Sequence, residues 1–459
     1  MTGNYKKKKL SKIWILIIGI IIISTNYSNV YGKNLPEKKN ITIFQTNLNY
    51  KEYFDSYNNI YEIINDIEES TLRAYMSTIT TTFKGRITGS ETCNKAGDWI
   101  YNEFNKMPNM HVKKNHWSAR SDIFHFFKIY NSFNVEAELP GYSNDSIVFI
   151  FSAHYDCDRE ESPGALDNGA AIAALLASAN ALSKFEFKYT IKFIAFSGEE
   201  LKFLGSYDYA KEAYYSGENI AAVLNADVIG NNTHLTNKSH LLRAYSSYPT
   251  KWIVDILDYV SNEYNIDIDV EERRYYGHSD DKPFDDYGYG VMQLYQSGNQ
   301  MEEYFGTAND TIDLINFSYL VNITNCIAAG LAVLADLPTI SPRIRINKPK
   351  EDSLILKGLN LLNLTKGKTI VLGPINVQAD VQSKNGEINK VVFELVKGDN
   401  EYTSNNEERP IIANFSDYDP PFEWLITERC FGWNTIRATA FDEEGNFSSD
   451  EIEILFFNI

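Results

Sequence analysis

The feature that most constrains this chain is an alternation running from residue 146 to residue 335. Nearly continuous apolar runs at 146–153 (SIVFIFSA), 190–196 (TIKFIAF), 220–226 and 291–295 read as strands covered on both faces. Segments with helical character lie between and after them, at 170–182, 201–213, 250–264 and 319–335. Such alternation makes an α/β fold with a mostly parallel central sheet flanked by helices. Upstream, 53–82 (Tyr57, Tyr61, Ile64, Ile67) and 96–104 (Trp99, Ile100, Phe104) have helical apolar spacing. Leu337-Pro338 ends the pattern. Beyond residue 340 short alternating strands are expected at 343–346, 375–381, 390–396, 422–426, 434–441 and 451–456, the pattern of an all-β sandwich.

A chain of 459 residues exceeds one ordinary core. The sequence divides into a leader at 1–32, a polar tether at 33–52, an α/β unit at 53–338 and a β-sandwich at 339–459. In the leader, Lys6, Lys7, Lys8, Lys9 and Lys12 precede an apolar stretch at 13–23. That stretch falls short of the roughly 20 residues of a membrane span, so a signal peptide is favoured over an uncleaved N-terminal anchor. Either reading places the rest of the chain outside the cytoplasm, secreted or held at the membrane. The net charge of −18 argues against nucleic acid as a partner. Cys93, Cys157, Cys326 and Cys430 are too few and too scattered for a disulfide scaffold, and none forms a CxxC pair for zinc.

The candidate chemistry sits at strand ends. His154-Tyr155-Asp156, Asp167-Asn168-Gly169-Ala170, Ser197-Gly198-Glu199-Glu200 and Asn225-Ala226-Asp227 follow the predicted strands or open the helices after them. The carboxyl edge of a parallel sheet is where open α/β folds bind ligands, so distant residues meet on one rim. Taken singly, each motif has an ordinary explanation: a surface pair for His154 and Asp156, a helix N-cap for Asp167, a favoured helix N-terminus for Glu199 and Glu200, a turn for Asp227. All four in this order are better explained by a divalent cation. One imidazole and several carboxylates suit zinc, and a carboxylate between two cations can bridge them. Asp156 is placed to orient the His154 ring, Glu200 to bind metal and Glu199 to accept a proton.

The order HYD, GALDNGAA, FSGEE, NADVIG closely resembles the co-catalytic zinc exopeptidases of peptidase family M28, which include leucyl aminopeptidases, glutamate carboxypeptidases and glutaminyl cyclases. Arg86-Ile87-Thr88-Gly89-Ser90, Asn134-Val135-Glu136-Ala137, Ser279-Asp280 with Pro283-Phe284, and Asn309-Asp310-Thr311 support it, over roughly residues 82–337. The resemblance implies that His154 and Asp227 hold one zinc, Asp167 bridges and Glu200 holds a second. It makes Glu199 the general base, with Asp156 beside it in the catalytic set. It also implies a strained, cis Asp167–Asn168 peptide and hydrolysis of peptides at a free amino terminus.

One departure stands out. The family's last zinc-binding histidine lies four residues before the aspartate of the Asp-Thr pair, and here Gly306 occupies that position. The histidine usual after Ser-Asp is replaced by Asp281, while His278 precedes Ser279. One zinc site is expected to be complete and firm; the second keeps Asp167 and Glu200, with His278, Tyr304 or water as substitutes, and restoring a histidine at 306 is expected to tighten it. The alternatives to an aminopeptidase are a glutaminyl cyclase and a catalytically impaired relative kept for binding. The C-terminal segment resembles bacterial and archaeal immunoglobulin-like domains through Asp419-Pro420-Pro421-Phe422-Glu423-Trp424, Thr435-Ile436-Arg437-Ala438-Thr439-Ala440 and Gly445-Asn446, with Trp424 and Trp433 expected as core or packing residues and not as sugar platforms. Docking at the cell surface is one role such a module would serve.

Overall fold

The structure, a computed structural model, describes residues 59–458 apart from 124–125, 145, 233–239, 248–249, 276, 298–302, 338–341, 365–368, 384–386, 399–409 and 444. The leader, the tether, the start of the helix expected from 53 and the boundary expected at 338 lie outside the described residues.

The expected helix at 53–82 is two helices, α1 (Asn59–Asp66) and α2 (Glu69–Ser77), followed by a π-helical turn at Thr78–Thr82. Helix α3 (Glu91–Phe104) begins before the expected residue 96 because the Ser90 side chain accepts a hydrogen bond from the Cys93 amide at 3.1 Å and caps it. Then come β1 (His111–Ile123), β2 (Phe126–Leu139), β3 (Val148–His154), α4 (Ala170–Leu182), β4 (Thr190–Phe196), α5 (Leu204–Ser216) and β5 (Ile220–Ala226). They are followed by β6 (Leu241–Ser246), α6 (Lys251–Glu263), β7 (Asp269–Arg274), α7 (Asp281–Asp286), β8 (Val291–Gln296) and α8 (Phe317–Ala335).

The eight strands form one sheet in the order β1-β2-β4-β3-β5-β8-β6-β7. Its centre, β4-β3-β5-β8, is parallel throughout. The flanks are mixed: β2 joins β4 antiparallel, β6 joins β8 antiparallel, and β7 returns parallel to β6. The sheet is thus less uniformly parallel than the sequence pattern suggests. Strands β1 and β7 carry runs such as HVKKNHWSAR and DVEERR, which lack the apolar continuity that marks a doubly covered strand.

The period-two geometry of β3 explains its unbroken apolar run. Phe149, Phe151 and Ala153 enter a core with α4 and α8, whereas Val148 and Ile150 enter a second core with Phe196, Tyr209 and Phe284 on the opposite face. Helix α4 is buried at every residue but Asn180, and its alanines let it lie close to the sheet. Helix α8 is long and apolar enough to cross a membrane by composition, yet most of it is buried inside the fold.

Downstream, strands β9 (Arg343–Lys348), β10 (Ser353–Leu356), β11 (Leu359–Asn363), β12 (Thr369–Leu372), β13 (Ile375–Gln382) and β14 (Ile388–Lys397) are followed by β15 (Ile411–Asp417), β16 (Phe422–Ile426), β17 (Cys430–Asp442) and β18 (Phe447–Asn458). They make a seven-stranded sheet, β11-β10-β12-β18-β17-β14-β15, and a three-stranded one, β16-β13-β9. The two sheets enclose their own core of Val377, Phe393, Trp424, Ile436 and Ile454, a sandwich-like arrangement. Trp424 packs against Phe393 with ring centroids 6.4 Å apart, as expected of a core residue. Trp433 departs from expectation: it stands on the exposed face of β17, because the strand's alternation turns Asn434 and Ile436 inward instead.

Candidate metal centre

Three strand ends supply the site. His154 closes β3, Glu199 and Glu200 follow β4, and Asp227 follows β5. Strands β3 and β5 pair in parallel, so their carboxyl ends lie side by side. Asp167 comes from the turn that opens α4, and Asn168 places it. The Asn168 side chain donates to the Ala226 carbonyl at 2.9 Å and accepts from the Val228 amide at 3.1 Å, stitching this turn to the end of β5 on both sides of Asp227. From the opposite side Asp310 accepts the Leu166 and Asp167 amides at 2.7 and 3.2 Å. The Asp167–Asn168 peptide is cis.

His154 is buried, and its Nε2 lies 3.2 Å from Asp167 Oδ1 and 3.6 Å from Asp227 Oδ1. Its other nitrogen, Nδ1, is 3.2 Å from the Asp156 main-chain oxygen and 3.7 Å from the Asp156 carboxylate. A proton on Nδ1 donated to that carbonyl leaves Nε2 with a lone pair facing the two aspartates, the tautomer a metal ligand needs. The Asp156 main chain therefore makes the nearer contact with the ring. Its carboxylate accepts Thr88 Oγ1 at 2.6 Å and the Glu199 and Glu200 amides at 3.3 and 3.4 Å, and so braces the turn that carries both glutamates.

Ligand atoms of His154, Glu199 and Asp227 lie within 4.8 Å of one another. That separation is compatible with Glu199 as a ligand or as a base poised beside the metal. Glu200 is not part of that trio; the charges that act on it are those of Asp167, His154, Asp156 and Asp158.

The electrostatics show what the donor set lacks. Burial opposes charge on the His154 ring, but Glu199 and contacts with Asp156, Asp167 and Asp227 outweigh it and carry the imidazole well above its ordinary pKa. Burial, then Asp227, Asp280 and Glu200, push Glu199 well above the carboxylate range against the pull of His154. Burial and the Asp167 charge push Glu200 up to about 9. No Lys or Arg side chain pairs with Asp156, Asp167, Asp227, Glu199 or Glu200 among the described residues. One imidazole and five carboxylates without a cationic partner fit a divalent cation: its charge would offset their mutual repulsion, and the N and O donors are those zinc accepts.

Several contributors were not singled out as site residues by sequence. Asp280 is fully buried, accepts from Ser206 Oγ at 2.5 Å through Oδ1, and leaves Oδ2 without a hydrogen bond among the described residues. Burial holds it up to about 8, and it adds to the field on Glu199. Arg86, fully buried, donates to the carbonyls of Tyr155, Pro163, Gly164 and Ile79 at 2.6–3.1 Å, and so fixes the loop between His154 and Asp167. Both lie in motifs quoted above only as resemblance; the polar residue types signalled importance but not role. Asp281, where the family has histidine, is buried at the start of α7 beside the Asn225 amide. His278 is exposed. Tyr304 lines a cavity of about 650 Å³ with Arg73, Asn231 and Phe317.

Comparison with known proteins bears on the family and the fold. The family model described as Peptidase family M28 matches residues 134–331. A probable zinc metalloprotease of Pyrenophora tritici-repentis is 23% identical over 266 residues, 49% of this chain and 61% of the relative. A probable leucine aminopeptidase of Arthroderma otae is 22% identical over 291 residues, 61% of this chain and 76% of the relative. The chain therefore spans somewhat under two thirds of the first relative's length. Among solved structures, the LapA aminopeptidase of Legionella pneumophila superposes with a TM-score of 0.52 at 18% identity, covering 66% of this chain and 78% of that one. A zinc aminopeptidase from Bacillus subtilis gives 0.51 at 15% identity, covering 59% and 96%. These structural likenesses speak to the fold. With the family match and the site on one sheet edge, residues 134–331 form a Peptidase family M28 domain.

Proposed function

We propose that the chain is an extracytoplasmic zinc metallo-exopeptidase, an aminopeptidase that removes residues from the free amino terminus of peptides. The observation that carries this reading is His154 Nε2 aimed at Asp167 Oδ1 and Asp227 Oδ1 with Glu199 in reach of the same point. His154 and Asp227 would hold one zinc, Asp167 would be shared, and Glu200 with Asp167 would serve a second. Bound zinc supplies Lewis acidity toward the scissile carbonyl. The Glu199 carboxylate, close to the imidazole, takes the proton of the attacking water and returns it to the departing amine. Asp156 and Thr88 keep Glu199 and Glu200 in place through main-chain contacts. The lysine-rich leader supports action outside the cytoplasm, on peptides met there, with the sandwich as a module for docking at a surface. The leader would be removed, or kept as a membrane anchor.

The test joins zinc analysis of the purified protein with turnover of aminoacyl chromogenic substrates, free and blocked at the amino group. Bound zinc with turnover of free-amino substrates alone is the expected result. Release of ammonia from amino-terminal glutaminyl peptides without peptide cleavage would replace the aminopeptidase with a cyclase. Neither zinc nor turnover would make the fold a binding scaffold.

A further inference from the structure

The cavity of about 650 Å³ that Tyr304 lines is built against the proposed centre. Its walls continue from site segments: Asn231 lies four residues after Asp227, Asp313 to Phe317 follow Asp310, and Tyr304 stands two residues before Gly306. Hydrogen bonds tie these walls together. The Asn316 amide donates to the Gly230 carbonyl at 2.9 Å, and the Asn231 side chain donates to the Leu314 carbonyl. Packing at Gly230 is close, since a Cβ there would stand 2.6 Å from Ile315 Cδ1 and 3.3 Å from Leu166 Cδ2. Ile315, part of the cavity wall, thus meets the same point as Leu166, the residue before Asp167.

The lining is chemically uneven. Leu314, Phe317 and the Tyr304 ring supply apolar surface, and three charged side chains stand among them, Glu69, Arg73 and Asp313. Arg73 is engaged twice. Its Nε donates to Glu69 Oε1 at 2.7 Å, one turn earlier on α2, and its guanidinium lies 3.8 Å from the centroid of the Phe317 ring. The Asp313 carboxylate, by contrast, has no hydrogen bond and no ion pair among the described residues. With Glu69 neutralised by Arg73, the cavity keeps one uncompensated negative charge beside apolar walls.

We propose that this cavity receives the side chain of the substrate's amino-terminal residue and selects lysine or arginine, with Asp313 determining the choice. This specificity rests on the aminopeptidase reading. The side chain of the residue to be released branches from the carbon next to the scissile carbonyl. A cavity whose wall reaches the Asp167 turn is where that side chain extends. Lysine and arginine lay their methylene stems on apolar surface and keep the charged head at a polar group. Leu314, Tyr304 and Phe317 suit the stem, and Asp313 suits the head. An acidic side chain would meet Asp313 as a like charge. The net charge of −18 also favours the approach of cationic peptides.

Lysine is norleucine with an added ammonium group, so chromogenic substrates of the two isolate the charge. Wild type should turn over the lysyl substrate with kcat/KM about fivefold above the norleucyl one, as one partly exposed ion pair supports. The difference should lie in KM, and about 0.5 M salt should shrink it. Asp313→Asn should bring the ratio to about one by raising the lysyl KM, with zinc still bound. Asp313→Glu should restore it, and Asp313→Lys should invert it. Calorimetric titration with lysinamide and norleucinamide reads the same ratio without turnover. A ratio near one in wild type, or one that Asp313→Asn leaves intact, would overturn the proposal. Failure of the aminopeptidase reading looks different: zinc would be absent or no free-amino substrate cleaved, while the calorimetric ratio still reports on the cavity.

Discussion

The two halves of the centre are built to different standards. The His154 half is rigid: the imidazole is buried, its far nitrogen faces a main-chain carbonyl, and its partners Asp167 and Asp227 are tied together through Asn168. The Glu200 half is loose: its carboxylate accepts no hydrogen bond and makes no ion pair among the described residues, and Gly306 stands where the family resemblance calls for an imidazole. Preorganisation is what makes a ligand set bind tightly, because a donor already oriented loses little freedom on binding. By that measure the proposed zinc site on His154 would be held by the fold, whereas a second cation would have to complete its own site.

The largest effect should come from the rigid half. His154→Ala removes the one nitrogen donor and leaves a cavity among carboxylates. Both zinc and turnover should disappear, measured as metal content and as hydrolysis of aminoacyl substrates. A variant that keeps one firm zinc would move the tight site elsewhere and reverse the contrast.

Glu199→Gln comes next. The amide cannot accept a proton, so kcat should fall by about 10²–10⁴ while zinc stays bound. Glu199 lies within 4.8 Å of the His154 and Asp227 donors, which makes the zinc measurement decisive. Loss of zinc in this variant would show Glu199 to be a ligand and the base to be another group.

Support of the shared aspartate should show as a smaller effect on stability. Asp310→Asn keeps one acceptor but sets an N–H against the Leu166 or Asp167 amide. Leaving a buried donor unsatisfied costs about 1–3 kcal/mol. Denaturant unfolding should register that loss, and the loose half should weaken more than the rigid one because Asp310 anchors the Gly306 loop. Equal weakening of both would mean that Asp310 steadies the fold as a whole.

What was legible in the sequence divides along the same line. The buried elements were plain: helix 170–182 and strands 190–196 and 220–226 have the bounds expected from their apolar runs. They lead to Asp167, Glu199 and Asp227 around His154, since a strand end is visible wherever a hydrophobic run stops. Asp158 was not visible. It sits in a polar loop, CDREE, where an aspartate is an ordinary surface residue, and only tertiary folding brings it to Gly306. The sequence located the gap at Gly306; that Asp158 lines it is set by tertiary folding. Strands β1 and β7 were missed for a related reason, because polar edge strands lack the pattern on which such reading depends. Trp433 shows the same limit, since the alternation of β17 is clear but its phase depends on which face meets the second sheet.

Substitution of Gly306 sharpens the contrast most finely, with the smallest expected effect. The sequence alone favours Gly306→His as a repair, but φ +65° and the Asp158 carboxylate 2.9 Å from the added Cβ change that expectation. Any side chain here costs about 1–2 kcal/mol in the left-handed region and must push Asp158 aside, which its exposed position permits. Gly306→Ala therefore incurs the backbone cost and crowds Asp158 without supplying a donor: stability falls by that amount. Gly306→His carries the same strain but offers a nitrogen donor, so a second zinc should be retained better than in Gly306→Ala. The two variants should melt alike and differ in the zinc they retain. If Gly306→Ala melts as wild type, the left-handed backbone and the contact with Asp158 do not confine this position.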